Sequence, residues 1–240
     1  LLVVSGAKQR TRFRGDSLAY YDDILAKNAF GNFRDLLDEV AKSPAMGIFL
    51  SHQGNKKHMS QSKTHPDENF AREIMQLFSL GLWEMTDNGS AVEKEDELVP
   101  AYSQEDVEQL ARVMTGYDLV GNSRYGRTHR GAGEEWATPM EFTGSWHDFE
   151  NKSFLSKTIN ADSENISTPS DFKNALDIIF NHQNVGPHVA KHLIMRLVTS
   201  NPSADYIERV SQVFNDNGSS IRGDLKAVVK AVLTDNEARG

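Results

Sequence analysis

Between positions 66 and 81 the chain sets an amide, a guanidinium and a carboxylate on adjoining turns of what reads as one helix: Asn69, Arg72 and Glu73. At about 100° per residue, Glu73 projects between Leu77 and Leu80, at the margin of the apolar face. A carboxylate at such a margin is partly desolvated, which costs free energy unless a cation or hydrogen-bond donors compensate. Asn69, one turn earlier on the same side, is placed to donate to it. Glu68 and Arg72 stand four apart and can pair at the surface. Two readings follow. In one, Glu68, Asn69, Arg72 and Arg112 bind substrate in a polar pocket, with Glu73 as acid or base. In the other, these groups form a buried polar network that ties the helix to its neighbours, Arg112 included.

A second constellation is His147-Asp148, flanked by Trp146 and Phe149. An imidazole beside a carboxylate can act as a base or a metal ligand, or it can be a loop histidine bonded to backbone. His65, just before the helix, is able to approach the same pocket or to stand exposed in its loop. For His58, His129, His182, His188 and His192 no ligand spacing is assigned, and the H-E-x-x-H zinc signature is absent, so no metal site is expected. Any site that unites His65, Glu73, His147 and Asp148 has to be built by the fold.

Composition narrows the chemistry further. The 240 residues contain 34 Asp plus Glu against 26 Lys plus Arg, a formal net charge of -8, and no Cys. That balance argues against a partner held mainly by phosphate contacts, so no nucleic acid is expected. The missing thiols exclude disulfides, thiolate metal sites and a Cys nucleophile. There is no G-x-S-x-G nucleophile elbow and no G-x-x-x-x-G-K-[ST] phosphate loop. Arg124, Arg127, His129 and Arg130 make residues 121–133 locally basic, either a solvated loop or a receiver of an anion. Asp87-Asn88-Gly89 is shorter than a calcium loop and reads as a turn. Trp136 and Trp146 can stack on a flat ligand or anchor the core. No apolar run approaches the ~18 residues of a membrane span. Cofactors stay unassigned.

Most of the chain carries the helical period. Helices are expected over residues 18–29 and 32–41, the latter with Phe33, Leu36, Leu37 and Val40 on one stripe. Ser43-Pro44 opens a short third one, with Ser43 as cap and Pro44 in the first position. Residues 54–63 read as a loop. Over residues 67–81, Phe70, Ala71, Ile74, Leu77, Phe78 and Gly81 fall in one arc, opposite Glu68, Arg72, Gln76 and Ser79. The period is lost over residues 83–102, where the turn signal Asp87-Asn88-Gly89-Ser90 suggests a short β-ribbon. Ser103-Gln104-Glu105-Asp106 resembles a capping box and starts a helix that stops at Gly116. Residues 118–169 read as a long irregular insertion. Four helices then fill residues 170–181, 187–199, 203–217 and 223–234, with Ser170 and Ser203 as N-caps and Pro187 at a helix start. The expectation is a mainly α-helical, irregular multi-helix single domain over residues 1–240. Leu1-Leu2-Val3-Val4 reads as the last turn of a helix that begins upstream, so an N-terminal portion is expected to precede it.

Pro66-Asp67-Glu68-Asn69-Phe70-Ala71-Arg72-Glu73, running on to Leu77-Phe78-Ser79-Leu80-Gly81, resembles the hallmark of the bacterial family known as domain of unknown function 1800. Pro44-Ala45-Met46-Gly47 is similar to its "PAM" helix. Tyr102-Ser103-Gln104-Glu105-Asp106-Val107 and Ala111-Arg112-Val113-Met114-Thr115-Gly116-Tyr117 resemble the segment that follows. His147-Asp148 with Lys152 and Phe154-Leu155 is similar to an H-D-x-x-x-K-x-x-L-G element. The runs from Asn181, Leu197 and Arg222 resemble the C-terminal helices. Two positions depart, Tyr117 where Trp is usual and Ser156 where Gly is usual, and the second bears on a tight turn after Leu155. The resemblance implies a longer, exported protein, hence a secreted or periplasmic location, and it names no reaction.

Two functions from different classes are therefore carried forward. One is an extracytoplasmic helical module for binding or assembly, with a small molecule or an envelope component as partner. The other is a hydrolase that uses Glu73 with His147 and Asp148 in a polar cleft.

Overall fold

A computed structural model describes residues 15–59, 65–121, 135–160 and 170–240. Leu1-Leu2-Val3-Val4, the basic stretch with Arg124, Arg127, His129 and Arg130, and part of the 54–63 loop lie outside the described residues. The architecture is mainly α, 51 % helical, with a few short two-stranded sheets.

The N-terminal helices are α1 (Gly15–Asn28), α2 (Phe33–Ala41) and α3 (Pro44–Phe49). Their limits follow local hydrogen bonding. Asn32 Oδ1 accepts from the Arg34 amide at the start of α2, and Ser43 Oγ accepts from the Met46 amide ahead of Pro44. The Asn32 side chain also donates to the Arg222 carbonyl at 2.7 Å, and the Phe33 and Leu225 amides donate to Gly223 and Gly31. The first helices are thus stitched to the last: α6 (Asp171–Phe180), α7 (Val185–Leu197), α8 (Ala204–Asn215), α9 (Leu225–Thr234) and α10 (Asn236–Arg239). Ser203 caps α8 as expected, whereas Ser170 makes no capping bond, and Pro187 sits in the third position of α7. Leu37, Phe70, Leu110, Leu176, Phe214 and Val228 are sealed in one continuous core. Each such side chain contributes about 1.5–3 kcal/mol by leaving water.

The hallmark helix departs from the arc expected for it. It is α-helical only as α4 (Asn69–Glu73) and continues as a π-helix over Ile74–Ser79. The Leu80 amide bonds to the Met75 carbonyl, five residues back, at 2.7 Å. Each such turn takes in one extra residue, so the faces rotate. Leu77, expected inside, is 48 % exposed, and Ser79, expected outside, is fully buried with its hydroxyl on the Ile74 carbonyl at 2.5 Å.

Within residues 83–102 a ribbon forms from β1 (Glu93–Lys94) and β2 (Glu97–Leu98), continued by bridges Met85–Ala91 and Trp83–Pro100. Its tip is Glu95-Asp96, both at positive φ, a turn that carries no glycine. Next comes α5 (Gln104–Val113), opened by a capping box in which Asp106 serves as the acid. The stretch read as irregular holds two further pairs. β3 (Tyr117–Asp118) pairs with β4 (Glu141–Phe142), and β5 (Lys152–Phe154) with β6 (Lys157–Ile159). The β5–β6 turn forms with Leu155 and Ser156 at φ 49° and 58°. Asp106 Oδ1 accepts from the Leu155 amide at 2.6 Å, so the acid that caps α5 also holds this turn.

Candidate functional site

The start of the hallmark helix is set by a residue with no chemistry of its own to advertise. Buried Asn55 accepts from the Asp67 amide at 2.8 Å and donates to the Asp67 carbonyl at 3.2 Å. Its own carbonyl accepts from Gly116 at 2.9 Å, which places α4 beside the end of α5. Gly116 adopts φ +95°, and a Cβ there would lie 2.9 Å from the Phe142 ring and 3.0 Å from His147 Cβ. Glycine at this point lets the His147 segment pack directly on the end of α5.

His147 is fully sealed, at 0 % exposure. Its Nδ1 donates to the Thr115 carbonyl at 2.7 Å, and its Nε2 lies 2.9 Å from Asp171 Oδ2. Both partners accept, so the ring serves both only as a double donor. Lys152, also buried, donates to the same Asp171 oxygen at 2.8 Å and to the Asp148 carbonyl. Burial pushes the Asp171 carboxyl up, but hydrogen bonds and charges from His147 and Lys152 outweigh it and hold the group below the usual carboxylate range. Asp148, next in sequence to His147, turns the other way. It takes a two-pronged bond from Arg112, Nε at 2.8 Å and Nη2 at 3.0 Å. Burial raises the Asp148 carboxyl as well, and the Arg112 bond leads the effects that bring it below its ordinary value.

On the outer side of this knot lies a polar cleft of about 490 Å³. His58 and His65, with ring centroids 4.7 Å apart, line it together with Glu68, Glu108, Arg112, Asp148 and Glu150, and Pro66 and Ala111 complete it. Glu68 belongs also to a surface chain of bonds. Arg72 Nη2 donates to Glu68 Oε2 and to Gln104 Oε1, each at 3.0 Å, and Gln104 donates back to Glu68 at 2.9 Å.

The structure therefore separates residues that spacing had grouped. His65, Glu68, Arg112 and Asp148 meet at the cleft, whereas His147 lies beneath it. Asn69 is exposed and makes no side-chain bond to Glu73. Arg72 is 38 % exposed, so the amide and guanidinium of the hallmark are not held away from water. Glu73 is half-buried near Tyr102, its Oε2 enclosed without a hydrogen-bond partner, and it is not among the cleft residues. Among the described residues no group of three or more His, Asp or Glu is placed to hold a metal.

Two sets of residues escaped the sequence reading. Asp171, the carboxylate that His147 and Lys152 share, looks like any acid in the first turn of a helix, and no local signal distinguishes it. His188 and His192 carry a signal in the sequence: they stand four apart on α7, and their ring centroids are 4.2 Å apart. His188 Nε2 donates to the Leu77 carbonyl at 3.1 Å, bracing the π-helical stretch against α7.

With fold and cleft in view, the class is a mainly α-helical protein whose ion-paired H-D-x-x-x-K element anchors α5 to α6. Residues 2–240 match the family model described as Protein of unknown function (DUF1800), and the chain belongs to that family. No curated protein and no solved structure gives a significant match.

Proposed function

We propose that this protein is an extracytoplasmic binding module, with the knot around Asp171 as internal scaffolding and the neighbouring cleft as the place where a small molecule or envelope component docks. The observation that carries this reading is the enclosure of His147. A general base must come within hydrogen-bond reach of the proton it abstracts, and both nitrogens of this ring are committed to protein acceptors. The cleft offers Glu68, Glu108, Asp148 and Glu150 against the single guanidinium of Arg112, a lining that favours a ligand with positive charge. The hydrolase alternative rests on the unpartnered Glu73 Oε2, away from the cleft residues.

Thermal denaturation with spermidine at low salt tests the cleft. A saturable rise in Tm is expected for the wild type and none for the Glu108→Gln/Glu150→Gln double variant. No rise in the wild type, or an equal rise in both, overturns the assignment. Fractionation of the producing bacterium tests the location, and recovery of the native protein with the cytosol refutes it. Glu73→Gln separates the two classes, because a binding module keeps its ligand response when that carboxylate is neutralised.

A further inference from the structure

On the side of the molecule where α1, α2, α7 and α9 meet the π-helical stretch, a pocket of about 330 Å³ opens to solvent past the half-exposed Leu77. Phe33 of α2, Leu77 and Phe78 of the π stretch, Val189 and Leu193 of α7, and Val229 of α9 give it apolar walls. This volume falls within the roughly 300–1,000 Å³ of ligand pockets. A cavity of about 150 Å³ takes up benzene, so this one has room for roughly a dozen non-hydrogen atoms.

The side chains in its lining with polar atoms are His188 and His192. The first has its Nε2 on the Leu77 carbonyl and its Nδ1 turned toward Gly81, 3.2 Å from where a Cβ would stand. The second donates from Nδ1 to the His188 carbonyl at 2.8 Å. A carbonyl only accepts, so the proton of His192 sits on Nδ1, and Nε2, at the far end of the ring, presents a lone pair. Among the described residues this Nε2 has no hydrogen-bond partner. Burial holds both imidazoles below the ordinary histidine range, His188 at about 4, so they are uncharged at neutral pH.

We propose that this cavity is a second binding site, which takes a small apolar molecule bearing one hydroxyl, with His192 Nε2 accepting the hydroxyl proton in a hydrogen bond. A neutral acceptor offers nothing to a carboxylate or phosphate, and an ammonium group would lose its hydration among apolar walls. A hydroxyl can donate to this nitrogen in place of water at small desolvation cost. The π-helical stretch is the second observation that points here. Such turns recur at functional sites, and this one carries Leu77 out to the cavity lining while His188 holds its carbonyl.

Calorimetric titration of the intact protein with 4-butylphenol and butylbenzene, which differ only in the hydroxyl, tests the site. The phenol is expected to bind about five- to tenfold more tightly. His192→Leu should bring the two probes level, and Leu193→Trp should block both by filling the space. The proposal is overturned if neither probe binds the wild type, if butylbenzene binds as well as the phenol, or if His192→Leu leaves their ratio unchanged. Because that ratio is read within one protein, it stands whether or not the tryptophan variant folds.

Discussion

Around Asp171 the chain buries charge, and along the outer face of α4 and α5 the same kinds of group meet water. The bond lengths hardly differ: Lys152 to Asp171 is 2.8 Å and Arg72 to Glu68 is 3.0 Å. The surroundings differ greatly. Lys152 and Asp171 have side chains only 2 % and 4 % exposed, so each charge depends on the other and on His147 for the hydration it has lost. Arg72 and Glu68 are replaced by water at little cost when separated. The comparison teaches that an ion pair's length says little about its weight, and that enclosure decides it.

The sharpest way to break this comparison is Asp171→Ala, which leaves an ammonium and an imidazole enclosed without their anion. A loss of about 3–5 kcal/mol in urea denaturation is expected. A loss below ~1 kcal/mol would mean that water reaches the knot and that the two regions are alike.

Acid comes next in size. His52 is fully buried and stacked on Phe70, and the Met114 and Ala41 carbonyls approach its ring without a well-aligned hydrogen bond. Burial holds it at about 4, against an unfolded value near 6.5. The unfolded chain therefore takes up the proton first, and stability present above pH ~6.5 is lost as pH falls toward about 4, by roughly 3 kcal/mol. His188, also at about 4, acts in the same sense. Asp171, held below its ordinary value, loses its contribution only at still lower pH. His182 and His192, also lowered by burial, add to the same slope, so His52→Phe should reduce the slope between these pH values without abolishing it and leave the lower limb in place. Equal slopes in the variant and the wild type would show that His52 takes no part.

The two arginines give the finest test. Arg112 is 20 % exposed and grips Asp148 with two nitrogens, so Arg112→Ala should cost about 2 kcal/mol. Arg72→Ala should stay within ~0.5 kcal/mol. Matching losses in the two variants would erase the distinction between knot and surface.

What could be read ahead of the fold was whatever closes within a few residues. Ser43, Ser103 and Ser203 cap their helices because each accepts from an amide three positions on. Ser170 had the same residue type and makes no such bond, since its backbone is already helical. The arc drawn over residues 67–81 went wrong at Leu77 and Ser79 because it assumed one helical period throughout, whereas tertiary packing inserts the π turn. His147, Asp148 and Lys152 were visible as a group, but their partners were not. Asp171 lies 24 residues from His147, and Arg112 lies 36 from Asp148.

The sequence by itself determined the helical class, most element starts and the family, because periodicity, caps and motif spacing are local properties of the chain. Only the tertiary structure decided that His147 would be enclosed, that Arg72 would face water, and that His192 would line an apolar space. Desolvation, which governs what each of these groups can do, depends on neighbours that arrive from distant parts of the chain.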